Sequence, residues 1–79
     1  MSIKKKLLFR RQKNPFFSVI TVVKNDEKNI LKTIKSISSQ TFKNFEYIVV
    51  DGLSKDNTVN KALLKKKNIN CLISKKDKG

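Results

Sequence analysis

The longest apolar run in the chain is Phe16 to Val23 (FFSVITVV), almost unbroken and rich in β-branched residues. Its length and composition predict a strand covered on both faces, as in a parallel sheet. Asn14-Pro15 marks a boundary just before it, because the residue preceding a proline avoids helical geometry. After the run, Asn25 or Asp26 offers a helix N-cap and Glu27 a favourable first-turn charge. Ile30, Leu31, Ile34 and Ile37 then fall on one helical face, and the helix is expected to end near Ser39 or Gln40.

The pattern then repeats in kind. Glu46 to Val50 (EYIVV) reads as a second strand, followed by the turn-rich stretch Asp51 to Asn57. Asp56 or Asn57 can cap a second helix whose core face is Val59, Ala62 and Leu63. Lys65, Lys66 and Lys67 sit near its end, where cations meet the negative pole of the helix dipole. Asn70 to Ser74 is a short third strand, with Cys71 in it as a small buried hydrophobe.

This β-α-β-α-β order predicts an α/β fold. Right-handed crossovers place the three strands in one parallel sheet ordered 3-2-1, half of a nucleotide-binding architecture. Ligands of such sheets lie beyond the carboxyl ends of the strands. The residues nominated on that ground are Lys24, Asn25 and Asp26 after the first strand, Asp51 and Gly52 after the second, and Lys75 to Gly79 after the third.

Composition changes the picture in two ways. At 79 residues the chain is one small domain or a piece of a larger one, and a chain this short buries only about 60% of its unfolded surface. With no His and one Cys, it has the means for neither Ser-His-Asp nor Cys-His catalysis, nor a multi-cysteine zinc site. No apolar stretch approaches the ~20 residues that cross a bilayer, and Leu7-Leu8-Phe9 is too short for the core of a signal peptide.

The net charge of +13 would suit a polyanion partner, and a small basic nucleic-acid-binding protein is the alternative reading. Yet Lys supplies 17 of the 19 basic residues, and Lys, Asn and Ile, all read from A/T-rich codons, make up 33 of 79. Only two Arg are present, Arg10 and Arg11, so the forked contacts of specific readers are scarce and nucleic acid is not the expected partner. Residues 1–14 read as a basic tail, solvated or touching an anionic membrane surface, ahead of a nucleotide-binding segment over 15–79.

The loop chemistry is partial. Asp51 can accept hydrogen bonds from a ribose hydroxyl or a base N–H, or instead from its own turn, and Gly52 allows close approach of a ligand. There is no G-x-G-x-x-G and no Walker motif, so neither a dinucleotide nor a P-loop site is indicated. A phospho-acceptor receiver is excluded because Asp51 ends the adjacent strand, one β-α unit too early.

Ser18 to Thr58 (SVITVVKNDEKNILKTIKSISSQTFKNFEYIVVDGLSKDNT) resembles the amino-terminal start of a family 2 glycosyltransferase. The likeness rests on the strand ending in Lys24-Asn25, the helix exit Ile37-Ser38-Ser39-Gln40-Thr41-Phe42, and the strand Glu46 to Gly52. Ser54-x-Asp56-x-Thr58 resembles the family's S-T-D-G-T turn, and Ile73 to Gly79 its I-S-E-P-D-x-G. Asp51-Gly52 stands where many members have Asp-Asp, and Leu53 and Asn57 replace commoner small residues.

The resemblance implies an incomplete, Rossmann-like GT-A type fold. It also implies transfer of a sugar from a nucleotide-diphosphate donor, with UDP the expected nucleotide, in cell-surface polysaccharide or glycolipid synthesis at the cytoplasmic face of the membrane. By family pattern Thr21, Val22, Lys24 and Asn25 border the nucleotide, Asp51 and Gly52 hold its base or ribose, and Asp77 lies near the nucleoside. The family's divalent metal, Mg or Mn, is held by a D-x-D motif on a later strand. No D-x-D occurs in these 79 residues, so no metal ligand and no catalytic residue is nominated, and the polypeptide alone is expected to be inactive.

Overall fold

A computed structural model describes residues 4–9, 17–40 and 44–75. Strand β1 spans Lys4–Phe9 and β2 Phe17–Val23, followed by helix α1 over Ile30–Ser38. Strand β3 spans Phe45–Asp51, helix α2 Thr58–Leu63, a single 3-10 turn Lys66–Asn68, and β4 Cys71–Lys75. The four strands form one sheet in the order β1-β4-β3-β2. Strands β2, β3 and β4 are parallel, in the 3-2-1 order expected, and make a small, partial Rossmann-like unit.

The fourth strand differs from expectation. Lys4–Phe9, within the stretch read as a basic tail, runs antiparallel to β4 with Lys4 opposite Lys75 and Phe9 opposite Cys71. The parallel unit leaves an outer edge of unpaired N–H and C=O groups on β4, and an extended segment with its own apolar residues satisfies them.

Both helices pack on one face of the sheet. Ile30 and Ile34 of α1 and Ala62 of α2 share a core with Val23, Tyr47, Val49, Ile69 and Leu72. Tyr47, 1% exposed, shares a hydrogen bond with Thr21 at 3.0 Å between their hydroxyl oxygens. Asn70 starts the pairing of β4 onto β3: its N–H donates to the Tyr47 carbonyl at 2.8 Å and its side-chain oxygen accepts the Tyr47 N–H at 2.9 Å. Cys71 is buried, as its place in an apolar strand predicts.

Among the described residues the other face is uncovered, and the expectation that the Phe16–Val23 run is covered on both faces fails there. Ile20 is 60% and Val22 74% exposed. The physical reason is position: β2 is an edge strand, and among the described residues no helix lies on the side to which Ile20 and Val22 point.

Helix α1 also begins later than its capping signals suggest. The N–H groups of Asn25 and Asp26 donate to side chains of the 51–58 loop, to Ser54 Oγ and Thr58 Oγ1, both at 2.7 Å. Asn25 sits at φ 50°, outside helical space. The helix opens from a turn in which the Asp26 carbonyl accepts from Asn29 and Ile30. At the other end, Ser38, Ser39 and Gln40 side chains donate to the carbonyls of Ile34, Lys35 and Ser36, adding side-chain donors to the last turns of the helix.

Candidate functional site

The carboxyl rim of the sheet brings two loops into contact, residues 24–29 after β2 and 52–57 after β3. Asp51, the last residue of β3, is only 1% exposed. A carboxylate so buried must have its oxygens satisfied, and here three donors converge on it. Oδ2 accepts from the Ser54 N–H and from the Ser74 hydroxyl, each at 3.0 Å, and Oδ1 accepts from the Ser54 hydroxyl.

Ser54 passes this constraint to the neighbouring loop. Its oxygen accepts the Asn25 N–H, while the Asn25 side-chain oxygen accepts the Lys55 N–H at 2.8 Å. A second relay runs beside it: the Asp26 N–H donates to Thr58 Oγ1, and that hydroxyl donates to Asp56 Oδ1. Asp56 Oδ1 also accepts the Thr58 N–H at 2.9 Å, and Oδ2 the Glu27 N–H at 3.3 Å. The hydrogen bond from the Thr58 hydroxyl, helped by the Thr58 and Glu27 N–H groups, holds the Asp56 carboxyl below its ordinary value. Gly52 N–H donates to the Val23 carbonyl at 2.8 Å, and Lys61 Nζ to the Glu27 carbonyl at 3.1 Å. The two loops are thus one hydrogen-bonded unit, with a shallow hollow lined by Asn25, Asp26, Lys28, Asn29 and Asp56.

Of the nominated residues, Lys24, Asn25, Asp51 and Gly52 lie together on this rim. Thr21 and Val22 diverge: Thr21 turns to Tyr47 beneath the helices, while Val22 lies on the open face. Asp77 lies outside the described residues. Asp51 adopts the self-bonded turn that its sequence context allowed, and its carboxylate faces Ser54 and Ser74.

Sequence reasoning did not nominate Ser54, Thr58 and Ser74 as site residues. The spacing Ser54-x-Asp56-x-Thr58 carried a signal, since short hydroxyl and carboxylate side chains alternate through a turn. Ser74 carried none: its role follows only from register, which sets it directly beside Asp51 on the adjacent strand.

Residues 18–79 match the sequence profile of Glycosyl transferase family 2. The chain belongs to glycosyltransferase family 2. The match opens inside β2 and takes in the whole carboxyl rim, while β1 lies ahead of it. No curated protein and no solved structure matches the chain significantly. Family 2 glycosyltransferases generally use a divalent metal, but among the described residues no group of three or more His, Cys, Asp or Glu could hold one.

Proposed function

We propose that this chain forms the donor-nucleotide end of a family 2 glycosyltransferase. The nucleoside diphosphate of a sugar donor, with UDP the nucleotide, lies across the rim made by Lys24, Asn25, Asp51 and Gly52. The observation that carries this reading is the buried Asp51 carboxylate, tied through Ser54 to Asn25 at the carboxyl ends of β2 and β3. Sheets of this kind bind ligands there, and a rim fixed in advance loses less freedom on binding.

Roles divide by exposure. Lys24 and Asn25 are exposed and supply charge and amide groups to the ligand, whereas Asp51 shapes the surface from beneath. Thr21 and Val22 border the nucleotide only through their place at the end of β2.

Amide chemical-shift mapping with UDP tests the placement. Shifts at Asn25, Gly52, Leu53 and Ser54 are expected. Shifts confined to the lysine-rich end of α2 would contradict it.

A further inference from the structure

We propose that the outer surface of the two helices is a docking face for an anionic phospholipid bilayer. Helices α1 and α2 pack on the same face of the sheet, so their outward sides look away from it together. Lys28, Lys32 and Lys35 follow one another at spacings of four and three, which stacks them in one stripe along α1. At 3.6 residues per turn that stripe lies opposite the fully buried Ile30 and Ile34, and all three lysines are exposed. On α2 Ala62 is buried, whereas Leu64 at the helix end is 75% exposed, with exposed Lys65 and Lys67 after it.

The fold sorts charge rather than mixing it. Asp26, Glu27 and Asp56 belong to the rim loops, and Glu46 and Asp51 are buried in β3. No residue of 30–38 or 58–70 is acidic. Lys61 is turned to the rim, its Nζ donating to the Glu27 carbonyl at 3.1 Å and lying 3.9 Å from the Glu27 carboxylate. Away from the rim the helical surface is therefore positive, with an apolar side chain set among its lysines. Lysine-rich coding explains how many lysines the chain has, not why acidic side chains are missing from this face.

The occupant follows from the residue types. An anionic bilayer attracts a broad layer of cations, and an apolar side chain among them can enter the boundary between headgroups and acyl chains. Lysine suits such a boundary, because its alkyl stem lies along apolar surface while its ammonium stays at the phosphates. Nucleic acid is held through Arg forks and stacked aromatics, and neither occurs in 24–40 or 58–70. The carboxyl rim lies at the start of both helices, at the border of this face rather than on it, so docking leaves it accessible. The inference does not depend on the nucleotide reading.

Co-sedimentation of the 79-residue chain with phosphatidylcholine vesicles, made with or without phosphatidylserine, tests this. Binding is expected to need phosphatidylserine and to weaken from about 0.05 M to about 0.5 M NaCl, a range over which the Debye length falls about threefold. Replacing Lys32 and Lys35 together by Gln is expected to weaken binding about fivefold per lysine removed. Replacing Lys55 and Lys75 by Gln removes the same charge from exposed positions off the helices, and should change binding less than about twofold. Lys and Gln are equally good helix formers, and circular dichroism confirms that both double variants fold. Leu64→Trp supplies a single tryptophan, since the chain has none, and its emission should move to the blue when phosphatidylserine vesicles are added. Equal binding to vesicles without phosphatidylserine, equal losses from the two double variants, an unshifted tryptophan, or binding to RNA but not to vesicles would overturn the proposal.

Discussion

Ser74 donates its hydroxyl to the Asp51 carboxylate at 3.0 Å, a side-chain bond that closes the last register pair of β3 and β4. The main-chain ladder ends there, and the side chains carry the connection into the loops. Ser74→Ala is expected to cost about 1 kcal/mol, the usual net worth of a hydrogen bond. Asp51→Ala should cost more, about 2–3 kcal/mol, because it strands the three donors that converge on the carboxylate. Urea unfolding of both single variants and the double variant checks this. The cycle should return a coupling of about 0.5–1.5 kcal/mol, as for side chains in direct contact.

Leu53 holds φ at 58°, a left-handed conformation that costs a residue with a side chain about 1–2 kcal/mol. Leu53→Gly is therefore expected to stabilise the fold by up to about 1 kcal/mol, less the extra freedom that Gly gives the unfolded chain. Asn25 at φ 50° is a different case, since its side chain accepts the Lys55 N–H. Asn25→Gly should bring no gain. Thermal unfolding of the two variants separates these outcomes.

Asp56 gives the fold a dependence on acid. Its folded carboxyl is held below the ordinary 3.8, first by the Thr58 hydroxyl and then by the Thr58 and Glu27 N–H groups. The folded chain thus binds that proton less readily than the unfolded one does. The contribution is complete above pH 3.8 and is lost as pH falls below it through the folded value. Asp56→Asn should flatten this acid limb relative to the wild-type chain, read as the difference between their unfolding curves against pH.

Tyr47 does the reverse at the alkaline end. Burial raises its phenol above the ordinary 10.0, with the hydrogen bond shared with Thr21 opposing more weakly. Stability from this group is complete below pH 10.0 and is lost as pH rises through the folded value. Because the chain has one Tyr and no Trp, ultraviolet titration of tyrosinate reports it alone. The folded chain should titrate above 10.0, and the urea-unfolded chain at that value.

The parallel core was legible because its signals are local. The β-branched run at 17–23, the helical face at Ile30, Ile34 and Ile37, and EYIVV each state a period that a single strand or helix satisfies. What failed depended on neighbours. Nothing in FFSVITVV distinguishes a central strand from an edge strand, since its composition suits burial on both faces while the sheet covers only one. The KKKLLF segment shows no alternation, and it becomes a strand because β4 offers it an edge. At the rim, Asp51 and Gly52 were found from their place after a strand. Ser74 was not, since its partnership is set by a register between residues 23 positions apart.

Isothermal titration of UDP into the folded chain and into Asp51→Ala tests the central claim, a nucleotide rim shaped by that carboxylate, most directly. Saturable binding of one UDP per chain is predicted, weakened at least about tenfold by Asp51→Ala, as loss of about 1.4 kcal/mol would give. Leu64→Lys should leave it unchanged. Absence of UDP binding, or binding that ignores Asp51 and falls steeply with salt as phosphate–lysine attraction does, would contradict the account.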